Sequence, residues 1–372
     1  MTPPPPLATP RAAGAFDRAY AGLRRTAIAA GLLERAYGYY LWRGLQCFVL
    51  FGVALVLPVV LPAGALWTVL AGALIGFASI QVALIGHDAG HLGVFRSARA
   101  NWGLGLVCWS LCTGIGFWYW YHRHNAHHGH TNDAAADPEL QGSGLVAFTE
   151  QDAASRTGWR RWVARHQAAL SPFIIVFLLF IVFAFRVESY AFAWKRLRGG
   201  RRRLELALLA LNLALWALVW LRFGWRFVAV FLVAQFVAGF YLAAIVAPNH
   251  KGMPVWASGA RLSFLERQVL SSRNVTASAL WDYVFGGLNY QIEHHLFPTM
   301  PRVNFRRAQA LVRPFCARTG LDYEEVSPLA SYRAVIGELH RVGLVADDLA
   351  WGPLWAAVEE SHHADESEGS GA

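Results

Sequence analysis

ALWTVLAGALIGFASIQVALIGHDAGH, residues 65–91, decides the fold. Residues 65–85 carry no charge, and roughly 20 apolar residues suffice to cross the hydrocarbon of a bilayer. The run closes on His87 and His91, spaced i and i+4. If the helix continues, both imidazoles share one face. A membrane span that ends in two metal-type ligands is the unit from which the rest of the chain is read.

Three further apolar runs stand at 45–61, 204–221 and 226–247, the last two marked only by Glu205 and Arg226. The 372 residues are 55% hydrophobic and include 16 Trp, a residue that favours membrane interfaces. An all-α integral membrane protein with four transmembrane helices follows. The formal charge is +9, and all but two of the 33 cationic residues are Arg. They flank the apolar runs, so the charge reads as membrane topology and excludes nucleic acid as partner. The arginine bias suggests a GC-rich bacterial source, hence a bacterial inner membrane. Cys47, Cys108, Cys112 and Cys316 are scattered and form no disulfide framework. Residues 1–40 read as a basic cytoplasmic segment without a cleaved signal, 41–345 as the membrane domain, and 346–372 as a polar, disordered tail.

The histidines are ordered. After His87 and His91 comes HNAHH, with His124, His127 and His128 at i, i+3 and i+4. Far downstream QIEHH gives Gln291, His294 and His295 at the same spacing, and His250 ends the last apolar run. A lone histidine is usually a satisfied polar residue. Eight at or just past the ends of apolar runs are not explained that way. They exceed the ligand set of one tetrahedral zinc and suit two metal ions with open positions. A set rich in His and free of Cys points to iron that handles oxygen.

The histidine groups must meet on one side of the membrane, which fixes the crossings. Runs 45–61 and 65–85 form one hairpin about Pro62, Ala63 and Gly64, and 204–221 with 226–247 form the second. The apolar stretch between His91 and His122 is too short to cross twice, so an in-plane or re-entrant helix is expected there. WKRLRGGRRR, 194–203, is the densest basic cluster and belongs in the cytoplasm. Run 171–187 therefore lies along the bilayer surface. In-plane helices and a cytoplasmic helical cap, about 252–345, complete the fold, with both termini cytoplasmic.

HDAGH, HNAHHGHTN and QIEHHLFP resemble the three histidine boxes of membrane-bound fatty acid desaturases. Gln291 in the third box, RNV at 273–275 and WDYVFGGLNYQIEHHLFPTMPR at 281–302 are similar to the acyl-lipid and front-end branch. The likeness runs from about residue 40 to 345. It implies two iron ions held by His87, His91, His124, His127, His128, His294 and His295. His250 stands where the family has a further histidine, and Gln291 is a weak ligand or an orienting residue. His122 and His130 lie outside the motif. No HPGG haem motif occurs, so electrons are expected from an external donor such as a ferredoxin or a b-type cytochrome.

The implied reaction places a cis double bond in the acyl chain of a membrane lipid or acyl-CoA, using O2 and two electrons. Asp88, Asn125, Asp137, Asn289 and Glu293 are candidates to orient the imidazoles, as are Asn132 and Asp282. The aromatic run FWYWY, 117–121, either lines the acyl tunnel or anchors at the interface. Arg302, Arg306, Arg307 and Arg313 offer a docking face for an acidic donor. A related di-iron hydroxylase or ketolase is the nearest alternative, and a metal transporter the alternative of another class. The transporter is disfavoured because its ligands should lie deep in the spans.

Overall fold

The computed structural model describes residues 14–141, 145–174 and 178–346. Among these, four helices are long and apolar enough to cross a membrane: α2 (Tyr37–Val60), α3 (Ala65–Gly90), α9 (Gly199–Phe223) and α10 (Trp225–His250). They are the four expected runs, lengthened at their ends. The helices outgrow the runs because flanking polar groups find partners inside: Arg43 of α2 donates to Gln81 of α3, and His87 meets other histidines.

Helices α3 and α10 pack together at the centre. Their contact is set by glycines. A methyl group at Gly72 would lie 2.8 Å from the Val230 carbonyl, and at Gly76 2.5 Å from that of Ala234. This small-xxx-small spacing lets two backbones touch where lipid gives no hydrophobic drive. Outer helices α2 and α9 keep apolar stripes exposed: Leu45, Val49, Val53, Val56 and Val60 on one, Leu204, Leu211, Leu215 and Leu218 on the other. Steps of three, four and seven make each stripe a single helical face, which suits lipid. At the far end Arg226 donates to the carbonyls of Leu61 and Pro62, at 3.1 and 2.8 Å, and so ties the two hairpin turns together.

Between the hairpins, α4 (Ala98–Leu106) runs directly into a π-helical turn, Val107–Thr113, which stops at Gly114 in the left-handed region (φ 73°). This broken helix packs on α3 and is too short to cross twice. After it, α5 (Phe117–Gly129) carries the second histidine group. Then come α6 (Glu150–Ser155), α7 (Gly158–Ile174) and α8 (Leu178–Arg196). The expected surface run 171–187 falls partly outside the described residues. Its described remainder in α8 packs on α5, α9 and α10.

The other side of the histidines is covered by α1 (Ala15–Ala29), α11 (Phe264–Leu270), α12 (Ala279–Val284), α13 (Gln291–Leu296) and α14 (Phe305–Thr319). Leu23 and Ala27 of α1 share an apolar core with Leu265, Ile292, Leu296 and Val312. Helix α1 is therefore packed into the cap. A short parallel pair, β1 (Asn274–Val275) with β2 (Glu325–Val326), and a helical stretch over 328–346 complete it. The tail beyond Ala346 lies outside the described residues.

Candidate metal centre

Eight histidines from four elements converge. His87 and His91 come from the end of α3, and His124, His127 and His128 from α5. His250 closes α10, and His294 and His295 lie on α13. Ligand nitrogens of His87, His91, His124 and His294 lie within 4.8 Å of one another, as do those of His127, His250 and His295. A third set, His128 with His294 and His295, overlaps the other two. The arrangement is thus two clusters joined through shared rings, with His128 stacked on His295 at 4.1 Å between ring centres.

The hydrogen-bond pattern shows which nitrogens are bare. His127 Nδ1 lies 2.9 Å from Asp137 Oδ2, and His250 Nδ1 lies 2.9 Å from the Ser271 carbonyl. Both partners only accept, so Nδ1 carries the proton and Nε2 of a neutral ring is a lone pair. These two Nε2 atoms stand 3.4 Å apart. His295 repeats the pattern, with Nδ1 2.7 Å from Gln268 Oε1 and a buried Nε2 that has no partner. The Nε2 atoms of His91 and His294 are also buried without partners. Imidazole nitrogens turned towards one another in a largely buried interior could hold a cation. A set of neutral imidazoles suits Fe, Zn or Cu, so the residues present fit a pair of such ions.

Burial lowers the pKa of His91, His124, His128, His294 and His295 well below the ordinary 6.5. The neutral, ligating form is therefore favoured. The sign for the apoprotein follows. Below pH 6.5 the unfolded chain takes up protons that the folded chain refuses. Stability is then complete above 6.5 and lost as pH falls, by up to about 1.4 kcal/mol per pH unit for each such histidine. The thermal midpoint of chelator-treated protein in detergent should drop steeply from pH 7 to pH 5.5. A flat profile would mean that these rings do not stay neutral.

Two carboxylates lie against ring nitrogens, Asp137 at His127 and Asp88 at His87. Asp137, wholly buried, also accepts from the amides of Asn132 and Glu139, each at 2.8 Å. Burial alone would raise its pKa, but His127 and these amides outweigh that and hold the carboxyl below its usual range. Asp137→Asn should weaken metal affinity about 10–100-fold while the fold persists. Metal titration of the apoprotein checks this, and wild-type affinity would remove Asp137 from the site. Asp88 lies 3.2 Å from His87 Nδ1, accepts from the Tyr40 hydroxyl at 2.7 Å, and pairs with Arg302.

Of the other expected orienting residues, only Gln291 meets an imidazole nitrogen. Asn125 is exposed on the outer face of α5. Asn289 donates to Asp282 at 2.8 Å. Glu293 sits one residue before His294 and so points away from it, accepting from Asn274 and Tyr323 at 2.7 and 2.8 Å. Burial pushes its carboxyl up to about 7. Asn132 reaches backbone carbonyls, Pro254 at 3.0 Å and His250 at 3.4 Å. Gln291 holds its amide nitrogen 2.8 Å from His250 Nε2, and its oxygen accepts from Asn249 at 3.1 Å. In that geometry Gln291 is a partner of His250. His122 and His130 are exposed.

Several contributors carry no local signal. Gln268 bonds His295 and the His128 carbonyl, and Thr131 donates to Gln268 at 3.0 Å. The RNV stretch joins two ligand helices. Arg273 donates to the Pro248 carbonyl at 3.2 Å, near the end of α10, and the Asn274 side chain accepts from the Ile292 amide of α13 at 2.9 Å. Arg302, expected on a docking face, is buried against Asp88 and the Leu84 carbonyl, because Asp88 needs a cation. Phe117, Trp118 and Tyr119 are buried and Trp120 stacks on His124 at 4.8 Å, so these four side chains pack inside the protein.

Fold and centre together define a class: a helical membrane protein that gathers imidazoles at one end of two central spans. The sequence model of the family described as fatty acid desaturase matches residues 63–327. The chain belongs to that family. It is 29% identical over 316 residues to the Delta(8)-fatty-acid desaturase of Borago officinalis, covering 80% of this chain and 70% of that one. To the Delta(8)-fatty-acid desaturase of Euglena gracilis it is 32% identical, covering 68% of this chain and 63% of that one. To the Delta 8-(E)-sphingolipid desaturase of Kluyveromyces lactis it is 27% identical, with 87% and 58% covered. The chain thus spans about two thirds of these relatives' length, and the relatives are eukaryotic.

Proposed function

We propose that this chain is an oxidoreductase that places a cis double bond in a fatty acyl chain of a membrane lipid or acyl-CoA. The carrying observation is the convergence of eight imidazoles in two joined clusters. The ligand set is His87, His91, His124, His127, His128, His250, His294 and His295. Two iron ions, with dioxygen and two electrons, would supply the oxidant able to take hydrogen from an unactivated methylene pair.

The chain's part is positional. Asp137, Asp88, Gln268 and the Ser271 carbonyl hold protons or partners at the outer ring nitrogens, which aims the inner ones. Trp120 stacks between Trp109 and His124, at 4.8 Å from each, and keeps water from that flank.

The basic cluster at 194–203 supports a cytoplasmic centre and cytoplasmic termini. A bacterial source rests on the arginine bias alone. An external donor, a ferredoxin or a b-type cytochrome, would meet Arg306 and Arg307, which are exposed on α14. Reversing both charges should cut turnover with an acidic donor about tenfold at low salt, and less at high salt. Unchanged turnover at low salt would reject this face.

The test of the whole reading is expression in a host of known lipid profile, with product mass spectrometry and metal analysis. Loss of two hydrogens and two irons per chain are expected. A gain of one oxygen would make the chain a hydroxylase, and one labile zinc without product would favour metal handling.

A further inference from the structure

We infer that Glu205 of α9 is a positioning residue for the metal centre: it fixes the buried start of α5 and, through that helix, His124, His127 and His128. Glu205 is the one acidic residue of the span α9 and is wholly buried. An ionisable group in such a place is costly and calls for a specific partner. Among the described residues no cation pairs with it. Its oxygens instead face Ser110, whose hydroxyl donates to Oε2 at 2.8 Å, and the Trp118 amide, which donates to Oε1 at 3.1 Å.

The first amides of a helix have no partner within it. In α5 the residue before the helix is Gly116, which has no side chain to offer. Three other elements supply the acceptors. Ser189 of α8 takes the Gly116 amide at 2.8 Å, Ser110 of the π-helical turn takes that of Phe117 at 3.0 Å, and Glu205 takes that of Trp118. A carboxylate here also meets the positive end of the helix dipole. The approach is close: a methyl group at Gly116 would lie 2.7 Å from Glu205 Oε1.

The lever is short. At 1.5 Å per residue, His124 to His128 sit roughly 9–15 Å along the axis from Trp118. A tilt or slide at the buried end therefore moves ring nitrogens whose useful tolerance is about half an ångström. Glu205 touches no ligand, so its effect reaches the metals only through α5.

This inference rests on the reading that the α5 histidines bind metal, and the test separates the two. Full-length protein in detergent is stripped with chelator and titrated with cobalt(II), read by its visible d–d absorption, for wild type, Glu205→Gln and Glu205→Leu. The glutamine keeps an acceptor for the Trp118 amide, and the leucine does not. Cobalt should bind Glu205→Leu about tenfold more weakly, with a shifted spectrum and unchanged far-UV dichroism, while Glu205→Gln stays near wild type. If Glu205→Leu yields no folded protein, Ser110→Ala carries the test and should show a smaller shift of the same kind. Wild-type affinity and spectrum in Glu205→Leu, or in Ser110→Ala where it stands in, overturn the inference and leave the metal reading intact, as does equal damage from glutamine and leucine. If the wild type takes up no cobalt, the metal reading falls and this inference with it.

Discussion

Alanine at His294 should abolish product formation and strip metal from both positions, not from one. His294, like His295, belongs to two of the three convergent sets, with His87, His91 and His124 on one side and His128 and His295 on the other. Its Nε2 is buried and has no protein partner. Loss of a residue that merely orients a ligand already costs 10–100-fold in affinity, so loss of a shared ligand should exceed about 100-fold. Metal content per chain, measured beside His250→Ala, makes the comparison. His250 belongs to one set only, and its loss should spare the other. Two metals retained in His294→Ala would show that the rings are neighbours and not co-ligands.

Arg302→Met should be the most damaging change away from the ligands. Arg302 is buried and pairs with Asp88, which also touches Tyr40 and His87. Removing one member of a buried ion pair leaves the other uncompensated and costs about 3–5 kcal/mol. The Leu84 carbonyl would lose its donor as well. The replacement should lower the thermal midpoint in detergent and loosen His87. Adding Asp88→Asn should recover part of the loss, because the double variant no longer buries an unpaired charge. A single variant that melts with the parent, or a double variant no better than the single, would show that the pair contributes little.

The spans were legible because length and apolarity alone specify them. The grouping of the histidines was legible because i, i+3 and i+4 spacing is a statement about one helical face. Asp137 and Asp88 could be proposed because they follow their histidines closely in the chain. Proximity misled at Asn125, which lies next to His124 but on the outward face of α5, and at Glu293, which α13 turns away from His294. Arg302 looked like its exposed neighbours Arg306 and Arg307, since nothing local tells that its side chain turns inward to Asp88. The Ser271 carbonyl and Gln268 lie 21 and 27 residues in the chain from the rings they meet, His250 and His295, and reach them through folding alone. The role of Glu205 was equally hidden: in the sequence it is a blemish on an apolar run.

Arg273 and Asn274 clamp the end of α10 to the start of α13, at 3.2 and 2.9 Å. The distance between His250 and the His294–His295 pair is therefore gauged by Gln268, Ser271, Arg273 and Asn274, not by the loop that precedes them. The stretch around Ala257, Ser258 and Gly259, exposed at its tip, is relieved of any metric duty. Evolution, or an engineer splicing in a reporter peptide, is free to lengthen it there while the ruler between the ligands stays unchanged.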